Sequence, residues 1–326
     1  MINKNNITLQ HEKTVSISTG FNRKAKTWSQ EEILLSEFTK RIASYIQTSE
    51  THEQFMKMNK DLQSNIKDVG GFVGGKLKDG KRLKSNVVSR SMLTLDADTP
   101  SADFLDRVRD LKVFTLIYAT HKSAPGSERY RVLIVTDRDM TPDESTAVGR
   151  KIGEKIGLNS LDDTTFEVSR LMFWPSCSRD VEPYFELIDE DFLRVDEVLA
   201  EYEDWTDPTS WPYSSRSINR RNQRHGLKQQ DPLTKRGPVG DFCRAYTIQE
   251  AIAKFIPEVY LPTGDPNRYT YAQGSTSSGL VIYDNKFAYS HHSTDPAGGK
   301  LLNAYDLIRI HLFDPNGEET EVKNHG

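Results

Sequence analysis

An apolar strand that ends on two aspartates dictates how this chain can fold around its chemistry. Residues 91–98 read Ser-Met-Leu-Thr-Leu-Asp-Ala-Asp. Side chains at i and i+2 of a strand point to one face, so Asp96 and Asp98 converge on one spot. Two converging carboxylates repel unless a cation neutralises them. Hard divalent ions such as Mg²⁺ or Mn²⁺ suit all-oxygen sites, and Mg²⁺ is commonly held by one or two carboxylates plus substrate phosphates. Two such ions can clamp the attacking and leaving oxygens of a phosphoryl displacement. The plainer alternative is a polar strand end before the turn at Thr99-Pro100.

The next features follow in chain order. Residues 113–119 form a strongly apolar strand, and Ala119-Thr120-His121-Lys122 sits at its end, presenting several donors to an anion. The alternating strand over residues 129–135 places Arg129 and Arg131 on one face, where guanidinium groups can bind phosphate oxygens in bidentate fashion. Asp162 or Asp163 offers a third carboxylate, and Arg170 opens another apolar strand. The glycine-rich residues 70–75 lack the GK[ST] of a P-loop and are not GxGxxG, which favours a turn-and-bulge device over a nucleotide cradle.

Around this core the periodicity mixes both kinds of element. Strands are expected over residues 72–77, 86–95, 171–174 and 184–187. A helix is expected from Thr27 through Ile46, with Ser29 as N-cap, and others over 51–65, 104–111, 142–156 and 192–202. Residues 1–20 read as a loose polar tail. Residues 205–238 carry seven Lys and Arg against two Asp and read as a basic linker. Beyond it, helices near 248–255 and 304–312 and strands near 269–272, 280–283 and 287–290 make a small α/β segment. His291, His292 and Asp295 lie there as a structured loop rather than a metal site.

Composition narrows the class. The 326 residues carry 43 Lys and Arg against 47 Asp and Glu, a net charge of -4, which excludes a globally basic nucleic-acid binder but not a local basic groove. Two cysteines, Cys177 and Cys243, cannot build a zinc cluster or a disulfide framework, and fit a reducing compartment. No apolar run approaches the ~20 residues of a membrane span, and the opening residues have no signal-peptide core. The expectation is a cytoplasmic protein that uses no membrane.

The order of an Asp96-Ala-Asp98 pair, an Ala119-Thr120-His121 loop and a later acid resembles the archaeo-eukaryotic primase superfamily, the primase-polymerases. Their second motif begins with Ser, where this chain has Ala119. The stretches IKDVGGFVGG, LTLDAD, YATHKSAPGSERYRVLIV and SRLMFWPSC are similar to phage and mobile-element primases found upstream of virulence-associated-E-like helicases. So is SGLVIYDNKFAYSHHSTDPAGGKLLNAYDLIRIHLF near the C-terminus, and the similarity spans about residues 22–315. The resemblance implies an α+β fold in which an RRM-like antiparallel sheet carries the catalytic residues beside an αβ N-terminal unit. The implied domains are a catalytic region at 21–204, the linker, and an accessory α/β domain at 239–326.

It further implies Mg²⁺ or Mn²⁺ on Asp96, Asp98 and Asp163, with Asp162 the rival for the third place. NTPs or dNTPs would meet His121, Thr120 and Lys122. Arg129, Arg131, Arg170 and, less directly, Arg90 would add charge. Single-stranded DNA would be the template, with Arg216, Arg220, Arg221 and Arg224 of the linker contacting it alongside Trp205, Trp211 and Tyr213. No P-loop is present, so a replicative helicase would act from a separate chain or a missing C-terminal region, in the cytoplasm of a bacterial host. Two other classes compete: a metal-dependent nuclease, and a non-catalytic replication-initiation protein that binds DNA. The first leaves His121, Arg129 and Arg131 without a clear role; the second leaves the acidic pair unexplained.

Overall fold

The computed structural model of the protein describes residues 7–217 and 230–314. Its described residues fall into two compact units. The first comprises residues 7–82, 86–203 and 211–217; the second comprises 83–85, 204–210 and 230–314.

The first unit starts with β1 (Thr14–Gly20), which pairs antiparallel with β2 (Ser29–Leu34) and, on its other side, with β4 (Gly71–Val73). Two expectations fail here. Residues 14–20 are an interior strand, not part of a loose tail: Val15 and Ile17 are buried, and Ser18 donates 2.8 Å to the Gly75 carbonyl from the other face. Ser29 opens a strand rather than a helix, because six residues of β2 register against β1 and tertiary pairing overrides local propensity. The helix begins only at α1 (Leu35–Ala43), which buries Leu35, Phe38, Thr39 and Ile42 at helical spacing.

β3 (Ile46–Gln47) pairs in parallel with β10 (Ser176–Cys177). The single helix expected over 51–65 is two, α2 (His52–Lys57) and α3 (Lys60–Ile66). Met58 is extended, Asn59 caps the second helix, and the Gln63 amide donates 3.1 Å to the carbonyls of Phe55 and Met58.

The central sheet has the order β11-β7-β8-β6-β5, antiparallel throughout. Its members are β5 (Gly75–Leu77), β6 (Val87–Ala97), β7 (Thr115–Ala119), β8 (Tyr130–Met140) and β11 (Phe185–Ile188). One face packs on Val15, Ile17, Leu35, Phe38 and Ile42 through Met92, Leu116, Tyr118, Leu133 and Val135. α5 (Pro142–Ile156), started by a Thr141/Glu144 capping box, packs against β6 on the other. α4 (Phe104–Arg109), β9 (Met172–Phe173) and α6 (Val195–Leu199) complete the unit; β9 extends the β1 sheet beside β4. The glycine-rich segment is a packing device. A Cβ on Gly71 would stand 2.3 Å from the Met172 carbonyl oxygen, and one on Gly75 would stand 1.9 Å from that of Ser89.

The second unit is an antiparallel meander over β12 (Tyr260–Pro262), β13 (Arg268–Tyr271), β14 (Leu280–Tyr283), β15 (Phe287–Ser290) and β16 (Leu301–Asn303). It packs on α7 (Gly237–Ala245), α8 (Ile248–Phe255) and α9 (Ala304–Phe313) through Ile248, Ile252, Leu280, Ile282 and Leu307. His292 and Asp295 are buried there with separate partners. The Tyr271 N–H donates 2.9 Å to His292 Nε2, and the Tyr260 hydroxyl donates 2.6 Å to Asp295. The described residues are α+β, as the sequence predicts, and apart from the short parallel β3–β10 pair their sheets are antiparallel. Among the described residues no helix is long and apolar enough to cross a membrane.

Candidate active site

Three neighbouring strands place the reactive groups in one row. Asp96 on β6 stands opposite Arg131 on β8, and Arg131 stands opposite Tyr118 on β7. Asp98 follows two residues on, just past the strand end, and Arg129 lies two residues before Arg131. The period of two thus puts both acids and both arginines on the face that β1 and α1 cover further along the sheet. They open into a cavity of about 420 Å³ there.

Each carboxylate has a guanidinium. Arg129 Nη1 lies 2.7 Å from Asp98 Oδ1. Arg131 Nε lies 3.6 Å from Asp96 Oδ1, and its Nη1 donates 3.0 Å to the Phe173 carbonyl. Arg131 packs over the rings of Tyr118 and Phe173. Burial works against its charge, but Tyr118 and Asp96 outweigh it and hold its pKa above the ordinary arginine value. Arg170 bridges two acids: its Nη2 is 3.5 Å from Asp96 Oδ2 and 2.8 Å from Asp162 Oδ2.

The two candidates for the third acidic position sit differently. Asp162 is tied to the first strand, its N–H donating 2.8 Å to the Asp96 carbonyl. Burial raises its pKa, but the Thr164 N–H and hydroxyl and Arg170 together bring it below the usual range. Neither Asp162 nor Asp163 lines the cavity, and Asp163 pairs elsewhere. It begins the short 3₁₀ turn that Asp162 caps, so its carboxylate is turned away, accepts from the Ser214 hydroxyl and lies 4.0 Å from Arg216 Nε.

His121, Thr120 and Lys122 line the cavity wall. The His121 ring is buried and clamped: Nδ1 is 2.9 Å from Ser176 Oγ, and Nε2 is 3.1 Å from Glu50 Oε1. Burial pushes its pKa down, and the Glu50 carboxylate pulls part of the way back. A phosphate reaches either ring nitrogen only in exchange for one of these partners. Arg90 does not line the cavity. It lies six residues before Asp96, about 20 Å along the strand. Its guanidinium is buried against Thr94 Oγ1, 2.8 Å away, and the Val168 carbonyl, and burial pushes its pKa down to about 10. Arg216 donates 2.9 Å to the Asn159 carbonyl and also to that of Leu161, so it braces the acidic loop. Arg220, Arg221 and Arg224 lie outside the described residues.

The N-terminal segments contribute side chains that the motifs do not reveal. Lys67, Arg23 and Arg82 also line the cavity. Burial lowers the pKa of Lys67, and its like-charged neighbours Lys122 and Arg131 add to this. Altogether seven cationic side chains face three carboxylates, Asp96, Asp98 and Glu167, in a chain whose net charge is -4. Lys67 sits inside the IKDVGGFVGG stretch, but no local pattern marks it as facing the acidic pair.

Asp96 and Asp98 suit a hard cation through their chemistry: both are oxygen donors, and the Asp98 side chain is 45% exposed toward the cavity. Among the described residues no three His, Cys, Asp or Glu side chains are grouped closely enough to hold a metal ion. Two carboxylates together with substrate phosphates remain a set that Mg²⁺ uses.

Fold and site define an α+β protein whose cationic cavity surrounds an acidic pair at a strand end. Residues 1–214 match the family model of the VapE N-terminal domain, and the chain belongs to that family. The recognition drawn from the motifs holds at this level. Among solved structures the chain is similar to the AEP domain of the cyanophage S-2L primase-polymerase (PrimPol). The identity is 12%, the similarity covers 57% of this chain and 88% of that one, and the TM-score is 0.32. No curated protein matches the chain.

Proposed function

We propose that the protein is a DNA primase-polymerase that joins nucleotides on a single-stranded DNA template and releases pyrophosphate. The observation that carries this is the cationic cavity built around Asp96 and Asp98. The excess of seven cations over three carboxylates complements a nucleoside triphosphate, and the carboxylates themselves have no use in simple anion binding. The antiparallel sheet that carries them would be the RRM-like core implied by the resemblance.

Asp96 and Asp98 would hold Mg²⁺ or Mn²⁺, which when bound neutralises charge on the transferring phosphoryl group, with Asp162, which shares Arg170 with Asp96, as the candidate third acid. Arg129, Arg131, Lys122 and Arg170 bind and orient the triphosphate. His121, gripped by Glu50 and Ser176, fixes the loop that presents Thr120 and Lys122. The 3′-hydroxyl of a primer or an initiating nucleotide then attacks the α-phosphate, and the bond to the β-phosphate oxygen breaks. No covalent protein intermediate is needed; positioning and charge complementarity supply the rate. The second unit serves as an accessory domain, and a replicative helicase is the partner expected from the family.

The test is synthesis on circular single-stranded DNA with ATP, all dNTPs and Mg²⁺ or Mn²⁺, without primer. Labelled product that vanishes in Asp96→Ala/Asp98→Ala is the expected result. No product, even with a primer and the helicase added, overturns the reading.

A further inference from the structure

Between β1 and β2 runs a loop of residues 21–28, of which the proposed chemistry draws only on Arg23 as one cation of the cavity wall. Phe21 at its start is 78% exposed, so its ring face is open to a partner. Arg23, Lys24 and Lys26 follow, with no acid between Lys13 and Glu31. Lys24 and Lys26 are exposed, and Arg23 reaches into the cavity wall.

The loop is held in shape rather than slack. Asp68 accepts from the Arg23 N–H at 2.9 Å, and the Asn22 side chain accepts from the Lys24 N–H at 2.8 Å. Arg23 Nη2 donates 3.0 Å to Asn65 Oδ1. At the far end the Trp28 indole donates 3.0 Å to the Ala25 carbonyl, and its ring carries the Arg82 guanidinium 5.2 Å away. Arg82 also lines the cavity. Gly70 brings the Phe21 backbone close to Trp174, another wall residue: a Cβ there would lie 3.2 Å from the Phe21 carbonyl oxygen and 3.4 Å from the Trp174 ring.

We propose that this loop is a docking site for single-stranded nucleic acid entering the cavity, with Phe21 stacking on a base and Arg23, Lys24 and Lys26 meeting the backbone phosphates. An exposed aromatic ring flanked by cations is the pair of features that sequence-tolerant strand binding requires. The backbone hydrogen bonds mean that the loop loses little conformational freedom on binding. The inference rests on the proposed function for the identity of the strand, and it adds a strand contact on the N-terminal loop to those expected of the basic linker.

The test is fluorescence anisotropy of a labelled oligo-dT in EDTA, where synthesis cannot occur, over a series of salt concentrations. Phe21→Ala is expected to weaken binding about fivefold or more, with the melting temperature unchanged and Phe21→Trp restoring affinity. Lys24→Glu/Lys26→Glu is expected to weaken binding and to flatten the log–log salt slope by about 0.7 for each phosphate that is no longer neutralised. Wild-type affinity in both variants overturns the proposal. So does absence of oligonucleotide binding by the wild-type protein, or a loss seen with a non-hydrolysable dNTP but not with the oligonucleotide. Asp96→Ala/Asp98→Ala should still bind, so failure of the loop and failure of the catalytic reading show up in different assays.

Discussion

Glu50→Gln isolates the charge that grips His121. The Glu50 Oε1 atom takes the Thr48 hydroxyl at 2.6 Å, His121 Nε2 at 3.1 Å and the Ser178 hydroxyl at 3.3 Å. The two side chains of the pair are 9% and 2% exposed, so solvent screens them little. A glutamine oxygen can keep all three contacts and loses only the charge. Hydrogen bonds to a charged partner are worth about 1.5–3 kcal/mol and neutral ones about 0.5–1.5, so the expected loss is about 1–2 kcal/mol. In a unit of this size that lowers the melting temperature by about 2–8 °C. The pH dependence has a definite sign. Burial opposes ionisation of Glu50, but the Thr48 hydroxyl and His121 outweigh it and hold its pKa below the usual range. Its stabilisation is therefore full above about pH 4.3 and is lost as the pH falls through the lower folded value. Burial lowers the His121 pKa, so stability also falls as the pH drops below about 6.5 toward its folded value. Without the carboxylate the His121 pKa falls further. Calorimetry from pH 3 to 8, with the His121 imidazole followed by NMR, should show a deficit that widens as the pH falls below about 6.5, is largest in mild acid, and closes once Glu50 itself is protonated. An unchanged melting temperature together with an unchanged His121 titration would refute the reasoning.

Gly75→Ala pushes a Cβ to 1.9 Å from the Ser89 carbonyl oxygen, and chemical denaturation should show a loss at or above the ~3 kcal/mol end of overpacking. Asp162→Asn should lower primer synthesis roughly tenfold or more, because Asp162 shares Arg170 with Asp96, whereas Asp163→Asn should leave it within about twofold. The reverse ranking in steady-state assays would restore Asp163 to the site. Lys67→Met should raise the nucleotide KM about tenfold with kcat little changed, and an unchanged KM would remove Lys67 from the triphosphate contacts.

The elements that the sequence makes legible are those whose pattern is set along a single strand or helix. β6 shows as an apolar run, α5 as Thr141-Pro142 with Glu144 at the capping-box position, and β14 and β15 as short alternating runs. β1 and β2 are hidden because Glu31 and Glu32 suit a helix start as well as an edge strand, and only their pairing decides. The same limit governs the site. Asp96, Asp98, Arg129 and Arg131 are legible because a period of two brings them to one face. Arg90 has the same residue type, but the strand's register shifts between Arg90 and Met92, and Arg90 lies far along the strand from the acidic pair. Glu50, Lys67 and Arg82 come from segments whose approach to the acidic pair is purely tertiary, and Asp162 differs from Asp163 only in which of them caps a turn.

The cation-rich wall needs a reason to be stable in the free protein, and the pairing pattern supplies one. Arg129 and Arg131 each find a carboxylate of the acidic pair, and Arg170 finds two acids, so the like charges are offset locally. The pairing is incomplete where it matters. The Nε atoms of Arg131 and Arg82 are buried without a hydrogen-bond partner, although both side chains line the cavity. Buried donors are almost always satisfied in folded proteins, and each one left open costs about 1–3 kcal/mol. An anionic oxygen arriving in the cavity removes that cost as well as adding its own Coulombic attraction. A cavity lined in this way therefore favours a polyanion over a neutral ligand even in an acidic chain. Binding of tripolyphosphate should accordingly weaken more with salt in the wild-type protein than in Arg131→Met.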